Sequence, residues 1–330
     1  MRHLPFFFFA AALLFSCTAT SDLVQVTNQG PAQGSTYSIS YLVPEGTDYR
    51  KGIDSILIAM DEQMSLWVEE SEISRLNKGD SVRISSAFAR VITLSKLYTE
   101  LTSGQFDITI APLIKAWGFS GGSYNENVNV DSLLQFVGSS NLAIPEADSL
   151  YALPKGFQVD VNAIAQGYTV DVIANYLTAM GVENYMVEVG GEVRCKGENI
   201  SGHRWRIGIE KPVEDRISGQ FQTIITLDSM SLATSGNYRK YWVTENGQKV
   251  VHTIDPETGR PVISNVLSAS IIASNATLAD ALATACMVAG PNAMQLVAQF
   301  PDVEAYLIVG NKKGELEIQQ TKGWLAFEAN

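Results

Sequence analysis

The chain reads as an α+β domain, with mixed, largely antiparallel sheets and packed helices. Strand-patterned segments outnumber helical ones, and several are joined by hairpin-like turns. The clear helical stripes are few and do not alternate with strands as a doubly wound parallel fold requires.

The elements follow in order. Thr18 to about Gln29 is polar and aperiodic and reads as a tether, and Thr36 to Val43 alternates like a strand. Ile53 to Met64 and Ala87 to Leu101 carry apolar residues at helical spacing, the second stopping at Ser103-Gly104. Gly118 to Val130, rich in Gly, Ser and Asn, reads as a loop. Phe157 to Val161 is a short strand, and Ile164 to Met180 has a helical stripe closed by Gly181. Strands follow at Tyr185 to Val189 and Glu192 to Cys195, separated by Gly190-Gly191, then at Trp205 to Ile209, Gln222 to Leu227 and Tyr238 to Val243. Asn246-Gly247 is a strong hairpin turn. Leu267 to Ala273 is a core strand before an Ala-rich helix, 277–289, that ends at Gly290-Pro291.

At 330 residues with 46% apolar and 18% charged side chains, the chain can bury a sizeable core. Its net charge of −12 argues against nucleic acid, whose phosphates need a basic footprint. An anionic ligand must therefore meet a local device, such as a metal ion or a helix N-terminus. The first residues read as an export signal rather than fold. Met1-Arg2-His3 is cationic, and the apolar run Leu4 to Phe15 is too short to span a bilayer. It ends in Leu14-Phe15-Ser16-Cys17, which resembles a bacterial lipobox. The expected organisation is a signal peptide over 1–16, a polar tether over 17–30 after lipidated Cys17, and one catalytic domain over 31–330. Localisation follows as the periplasmic face of a membrane, the inner membrane favoured. Cys195 and Cys286 are too few for a disulfide framework and read as two separate buried thiols.

Walker, GxGxxG, HExxH, CxxC and GxSxG motifs are absent, and only His203 and His252 lie outside the leader. A histidine-built zinc site is thereby disfavoured. Carboxylates, hydroxyls and glycine-rich turns remain, the ligand set of a hard cation such as Mg²⁺. Asp280 and Thr284 stand one helical turn apart on the Ala-rich helix and can share such an ion. Thr277 to Asp280 also fits a capping box, and on this helix alone the cap and the metal readings stand level. Asp160-Val161-Asn162-Ala163-Ile164-Ala165-Gln166-Gly167 lies between strand and helix, where backbone N–H groups suit a phosphate and where Asp160 alone suits a cap. His252, heading the turn-rich segment to Pro261, is the natural candidate for proton transfer near neutral pH.

Together these segments resemble the ApbE family, the FAD:protein FMN transferases. The pieces run in order: Gly34 to Tyr37; Met64 to Trp67 with Ser71 to Asn77; Ser103 to Thr109; Pro112-Leu113 with Trp117 to Phe119; Asp160 to Asp171; Glu188 to Glu192; Ala233 to Tyr238; His252 to Pro261; and Ala279 to Thr284. The resemblance implies a T-fold-like α+β architecture and transfer of FMN from FAD to a Thr or Ser hydroxyl, with release of AMP. It implies Mg²⁺ held by the Ala163 carbonyl and by Asp280 and Thr284. FAD contacts would come from Gln33, Trp67, Gln105, Phe106, Asp107, Asp160, Gln166 and Ile254, with Asp280 or His252 taking the proton. The implied partner is a membrane redox subunit, of the Na⁺-pumping quinone reductase or a related electron-transfer type. Two positions depart from the family: Gln33 stands where Met is frequent, and Gln166 where Lys is frequent. The alternatives are hydrolysis of FAD to FMN and AMP, and a non-catalytic flavin-binding surface lipoprotein.

Overall fold

A computed structural model describes residues 23–212, 221–237, 241–243, 249–311, 313 and 315–329. Cys17 and the leader lie outside the described residues, as do Tyr238 and the Asn246-Gly247 turn. Eight strands form one sheet: β1 (Leu23–Ala32), β2 (Ser35–Pro44), β3 (Tyr185–Val189), β4 (Glu192–Lys196), β5 (Ser231–Gly236), β6 (Val266–Ala273), β7 (Glu304–Gly310) and β8 (Leu316–Gln320). Their spatial order is their chain order. The fold class is α+β as expected, but every strand pair among the described residues is antiparallel rather than mixed.

The central strands are apolar on both faces because both faces are covered. Alternation splits them: Ala269, Ile271, Ala305 and Leu307 enter the core under the helices, while Ile272, Tyr306 and Ile308 enter the opposite one. That second core is closed by the hairpin Trp205–Glu210/Phe221–Leu227 and by fully buried Trp324. Cys286 lies in the first core and Cys195 in the second, both free and buried. Burial pushes the Cys286 thiol up to about 12 and raises Cys195 as well.

Six helices frame the first core: α1 (Arg50–Met64), α2 (Glu72–Lys78), α3 (Ser86–Leu101), α6 (Ala165–Ala179), α7 (Ala276–Ala289) and α8 (Ala293–Val297); short α4 (Ala111–Ala116) and α5 (Val130–Leu134) complete the described set. Alanines at 276, 279, 281, 283 and 285 are fully buried, so α7 beds closely onto β5 and β6. Its start is fixed from outside. Asn275 accepts from Leu278 N–H, while Asp171 on α6 accepts from Ala276 N–H (3.0 Å), Thr277 N–H (2.8 Å), the Thr277 hydroxyl (2.5 Å) and Arg194 (2.8 Å). Removing a buried carboxylate with four donors strands them all. Asp171→Ala is therefore expected to cost about 3 kcal/mol in denaturant titration. A loss under about 1 kcal/mol would contradict this role.

Two expectations need correction. The tether over 17–30 is wrong from Leu23 onward, because β1 pairs with β2 from Leu23↔Pro44 to Ala32↔Ser35. Its inward positions include Asn28 and Gly30, which hides the alternation. Buried Asn28 accepts from the Tyr41 hydroxyl at 3.0 Å. Phe157 to Val161, expected as a strand, joins no sheet. Instead the Asn77 side-chain amide pairs with Val159, donating to its carbonyl and accepting from its N–H, each at 2.8 Å. A side chain supplies what a neighbouring strand would.

Candidate active site

The site is a cavity of about 1780 Å³ at the N-terminal end of α6. The backbone passes from Asp160 through a turn into α6, and Asp160 Oδ1 accepts from Asn162 N–H at 2.8 Å. It does not cap the helix, whose N-cap position is Ile164. Gly167, in the first turn, donates its N–H to Asp280 Oδ2 at 3.1 Å. Gly is required there: a Cβ would lie 2.4 Å from the Ala276 carbonyl oxygen and 2.8 Å from Asp280 Cβ. The capping box within α7 does not form, since α7 begins at Ala276 and Asp280 points to another helix's first turn. Asp280 is 5% exposed. Burial pushes its carboxyl up to about 7, against the lowering effect of the Gly167 N–H. Thr284 follows one turn later, its hydroxyl 3.3 Å from Ser235 Oγ on β5.

Much of the remaining wall comes from loops. Gln33 and Gly34 form the two-residue β1–β2 turn, both with positive φ (48° and 72°), the pattern of a type I′ hairpin. From it Gln33 Nε2 reaches Thr169 Oγ1 on α6 at 2.8 Å. Gln166 packs so closely on Gly190 that a Cβ there would lie 2.2 Å from its amide nitrogen. Asp107 lines the cavity, but its carboxylate is occupied by Thr109 N–H and hydroxyl (2.8 and 2.6 Å) and Ser139 N–H and hydroxyl (2.8 and 2.6 Å). That locks the 105–110 turn, with Phe106 buried edge-on to Tyr98. Trp67, 80% exposed, stands at the rim.

His252 leads the loop to Pro261, its ring edge-on to Phe119 at 6.5 Å. The loop is pinned by Asp255, whose carboxylate accepts from Glu257 N–H and the Thr258 hydroxyl, and by Trp117, whose indole N–H donates to the Gly259 carbonyl at 2.9 Å. Ile254 is buried with Leu113, Trp117 and Val130 in a small satellite core. Gly259 has φ +65°, and a Cβ there would strike Val130 at 2.5 Å.

Every candidate expected from the sequence that lies within the described residues lines this one cavity: Gln33, Trp67, Gln105, Phe106, Asp107, Asp160, Ala163, Gln166, His252, Ile254, Asp280 and Thr284. Sequence reading gave no role to Gly167, Asp171 or Ser235. Their contacts lie across the fold, and only the glycine beside a helix start hinted at close approach. The hairpin strand at Ile207 to Glu210 also reaches the cavity, unforeseen.

A family model described as the ApbE family matches residues 33–307. The chain belongs to the ApbE family. An FAD:protein FMN transferase of Vibrio cholerae serotype O1 is 36% identical over 315 residues, spanning 92% of this chain and 93% of that protein. One of Haemophilus influenzae is 33% identical over 325 residues, 92% of each chain. Among solved structures, the flavin transferase ApbE of Vibrio cholerae superposes with a TM-score of 0.78 at 34% identity, covering 92% of this chain and 99% of that one. The apo flavinyl transferase ApbE of Pseudomonas stutzeri gives 0.79 at 28% identity, covering 92% and 96%.

Within this ApbE-family cavity the charge balance bears on the ligand. Among the described residues its cationic side chains are Lys78 and Lys115, against carboxylates that include Asp160, Glu188, Glu192, Glu210 and Asp280. Among the described residues no three of His, Cys, Asp or Glu cluster as an all-protein metal cage. A buried carboxylate and a hydroxyl one turn apart on the cavity wall are oxygen donors of the type that fits a hard cation such as Mg²⁺, completed by substrate oxygens.

Proposed function

We propose that the chain is an FAD:protein FMN transferase: it transfers FMN from FAD to a Thr or Ser hydroxyl of a partner redox protein and releases AMP. The observation that carries this reading is the Gly167 N–H···Asp280 bond. It joins the first turn of α6 and the acidic edge of α7 in a single cavity large enough for a dinucleotide and an acceptor segment. The positive end of the α6 dipole suits the pyrophosphate. Asp280, Thr284 and the Ala163 carbonyl would hold Mg²⁺. Bound there, the ion would neutralise pyrophosphate charge and stabilise the departing AMP. Trp67 and the 105–107 turn suit the ring systems of FAD, and Gln33 and Gln166 suit its polar edges.

In the reaction the acceptor oxygen forms a bond to the FMN phosphorus, and the phosphorus–oxygen bond to AMP breaks. The hydroxyl proton goes to Asp280, with His252, lining the same cavity, as the second group able to take it. The reading extends to the cell surface: lipidation of Cys17 would tether the enzyme at the periplasmic face of the inner membrane. There it would meet a membrane redox subunit of the Na⁺-pumping quinone reductase or a related type.

Incubating the purified chain with FAD, Mg²⁺ and a Thr-containing acceptor protein should give a fluorescent protein band that survives denaturation, and EDTA should abolish it. Release of free FMN and AMP without acceptor labelling would favour hydrolysis. Tight FAD binding without turnover under any metal would overturn the enzymatic reading.

A further inference from the structure

Four threonines inside α3 and α6 turn their hydroxyls back onto their own helix. Thr93 donates to the Ala89 carbonyl, Thr99 to Ser95, Thr169 to Ala165 and Thr178 to Ala174, all at 2.8–2.9 Å. This is the ordinary local solution for a helical threonine, whose hydroxyl reaches the carbonyl four residues back. Thr284 differs. Its described hydrogen bond leaves the helix and crosses to Ser235 Oγ, 3.3 Å away.

Ser235 is placed for this by the sheet. It stands opposite Ala269 in the β5–β6 ladder, and alternation turns it with Ala233 toward the helix face. At 3.3 Å the contact is longer than the 2.7–2.8 Å usual for paired hydroxyls, so there is room for it to tighten. A threonine whose hydroxyl pairs outward keeps its oxygen lone pairs directed away from the helix backbone and into the cavity wall. One that bonds its own i−4 carbonyl, here Asp280, rotates its oxygen against the helix instead.

We infer that Ser235 is a positioning residue for the cation site: paired with the Thr284 hydroxyl, it holds Thr284 Oγ1 in the rotamer that presents its lone pairs to Mg²⁺. The inference rests on the proposed function, in which Thr284 is a ligand. Ser235 acts only through Thr284. Without it, Thr284 falls back to the Asp280 carbonyl as the four threonines of α3 and α6 do to theirs, and one donor of the site is lost. Outer partners that orient metal ligands typically carry a tenfold or larger effect on affinity.

The test uses the purified full-length chain, with FAD present and no acceptor. Apparent Mg²⁺ affinity is read from the rise in melting temperature as Mg²⁺ is titrated. Ser235→Ala should weaken that affinity about tenfold, and Ser235→Thr, which keeps the hydroxyl, should stay within about threefold of the parent. Thr284→Ala should weaken it at least as much, and the double variant should be no worse than Thr284→Ala alone. Additive losses in the double variant would mean that Ser235 acts on its own, overturning the inference. An unchanged Mg²⁺ response in Ser235→Ala would overturn it too. Both outcomes leave the proposed function standing if the parent chain responds to Mg²⁺. No Mg²⁺ response in the parent would overturn both.

Discussion

Asp280→Asn is expected to lower flavin transfer at least about a thousandfold, equivalent to roughly 4 kcal/mol of lost transition-state stabilisation, and to remove the Mg²⁺ response. The amide keeps the shape of the side chain and can still accept from Gly167 N–H, so the helix pair survives while the ligand charge does not. The same substitution should change how stability depends on pH. The Asp280 carboxyl is raised from an ordinary 3.8 to about 7 by burial, so the folded chain holds that proton more tightly than the unfolded one. Its contribution is full below about pH 3.8 and is lost as pH rises through about 7, an upper bound of roughly 4 kcal/mol. Metal-free parent protein should therefore lose stability between pH 5 and 8 faster than Asp280→Asn, by chemical denaturation. Mg²⁺ requires the ionised form, so its stabilising effect should grow over the same window. Parallel pH profiles for parent and variant, with labelling intact, would refute the assignment of Asp280.

Gly167→Ala should be nearly as damaging, by a different route. The added methyl would meet the Ala276 carbonyl at 2.4 Å and Asp280 Cβ at 2.8 Å, one of them backbone and neither the end of a flexible side chain. To admit it, α6 and α7 must separate, and the hydrogen bond to Asp280 opens as they do. Overpacking of this kind costs about 3 kcal/mol, a fall in melting temperature of roughly 6 °C for a chain of this size. Because both halves of the site ride on these helices, Mg²⁺ affinity should fall together with stability. A variant melting within about 1 °C of the parent, with Mg²⁺ affinity unaltered, would show that the close approach is dispensable.

Much of the fold was legible because its signals are local. The stripe at 164, 168, 172, 176 and 180 and the glycine at 181 set α6 to within one residue at each end, and the Ala-rich run did the same for α7. Tyr185 to Val189 was read to the residue from its apolar alternation. What was missed is non-local. β1 hides behind Asn28, whose burial makes sense only beside Tyr41, and Gly30, which packs on Tyr37. β5, β7 and β8 had no reading at all, being recognisable as strands chiefly through the neighbours they pair with.

For the site, residue type and order along the chain determined which segments matter, since a hard cation needs oxygen donors and a pyrophosphate needs a helix start. The sequence left the cap and metal roles of Asp280 level. The tertiary structure removes the cap within α7, by starting that helix at Ala276 and turning the carboxylate onto Gly167 of a helix 113 positions away. Likewise it took the folded chain to reveal that Asp107 spends its carboxylate on Thr109 and Ser139, and that Thr284 looks to Ser235. Local patterning fixes what each helix or strand is. Which oxygen faces which donor depends on packing between elements distant in sequence, and no short-range pattern encodes that.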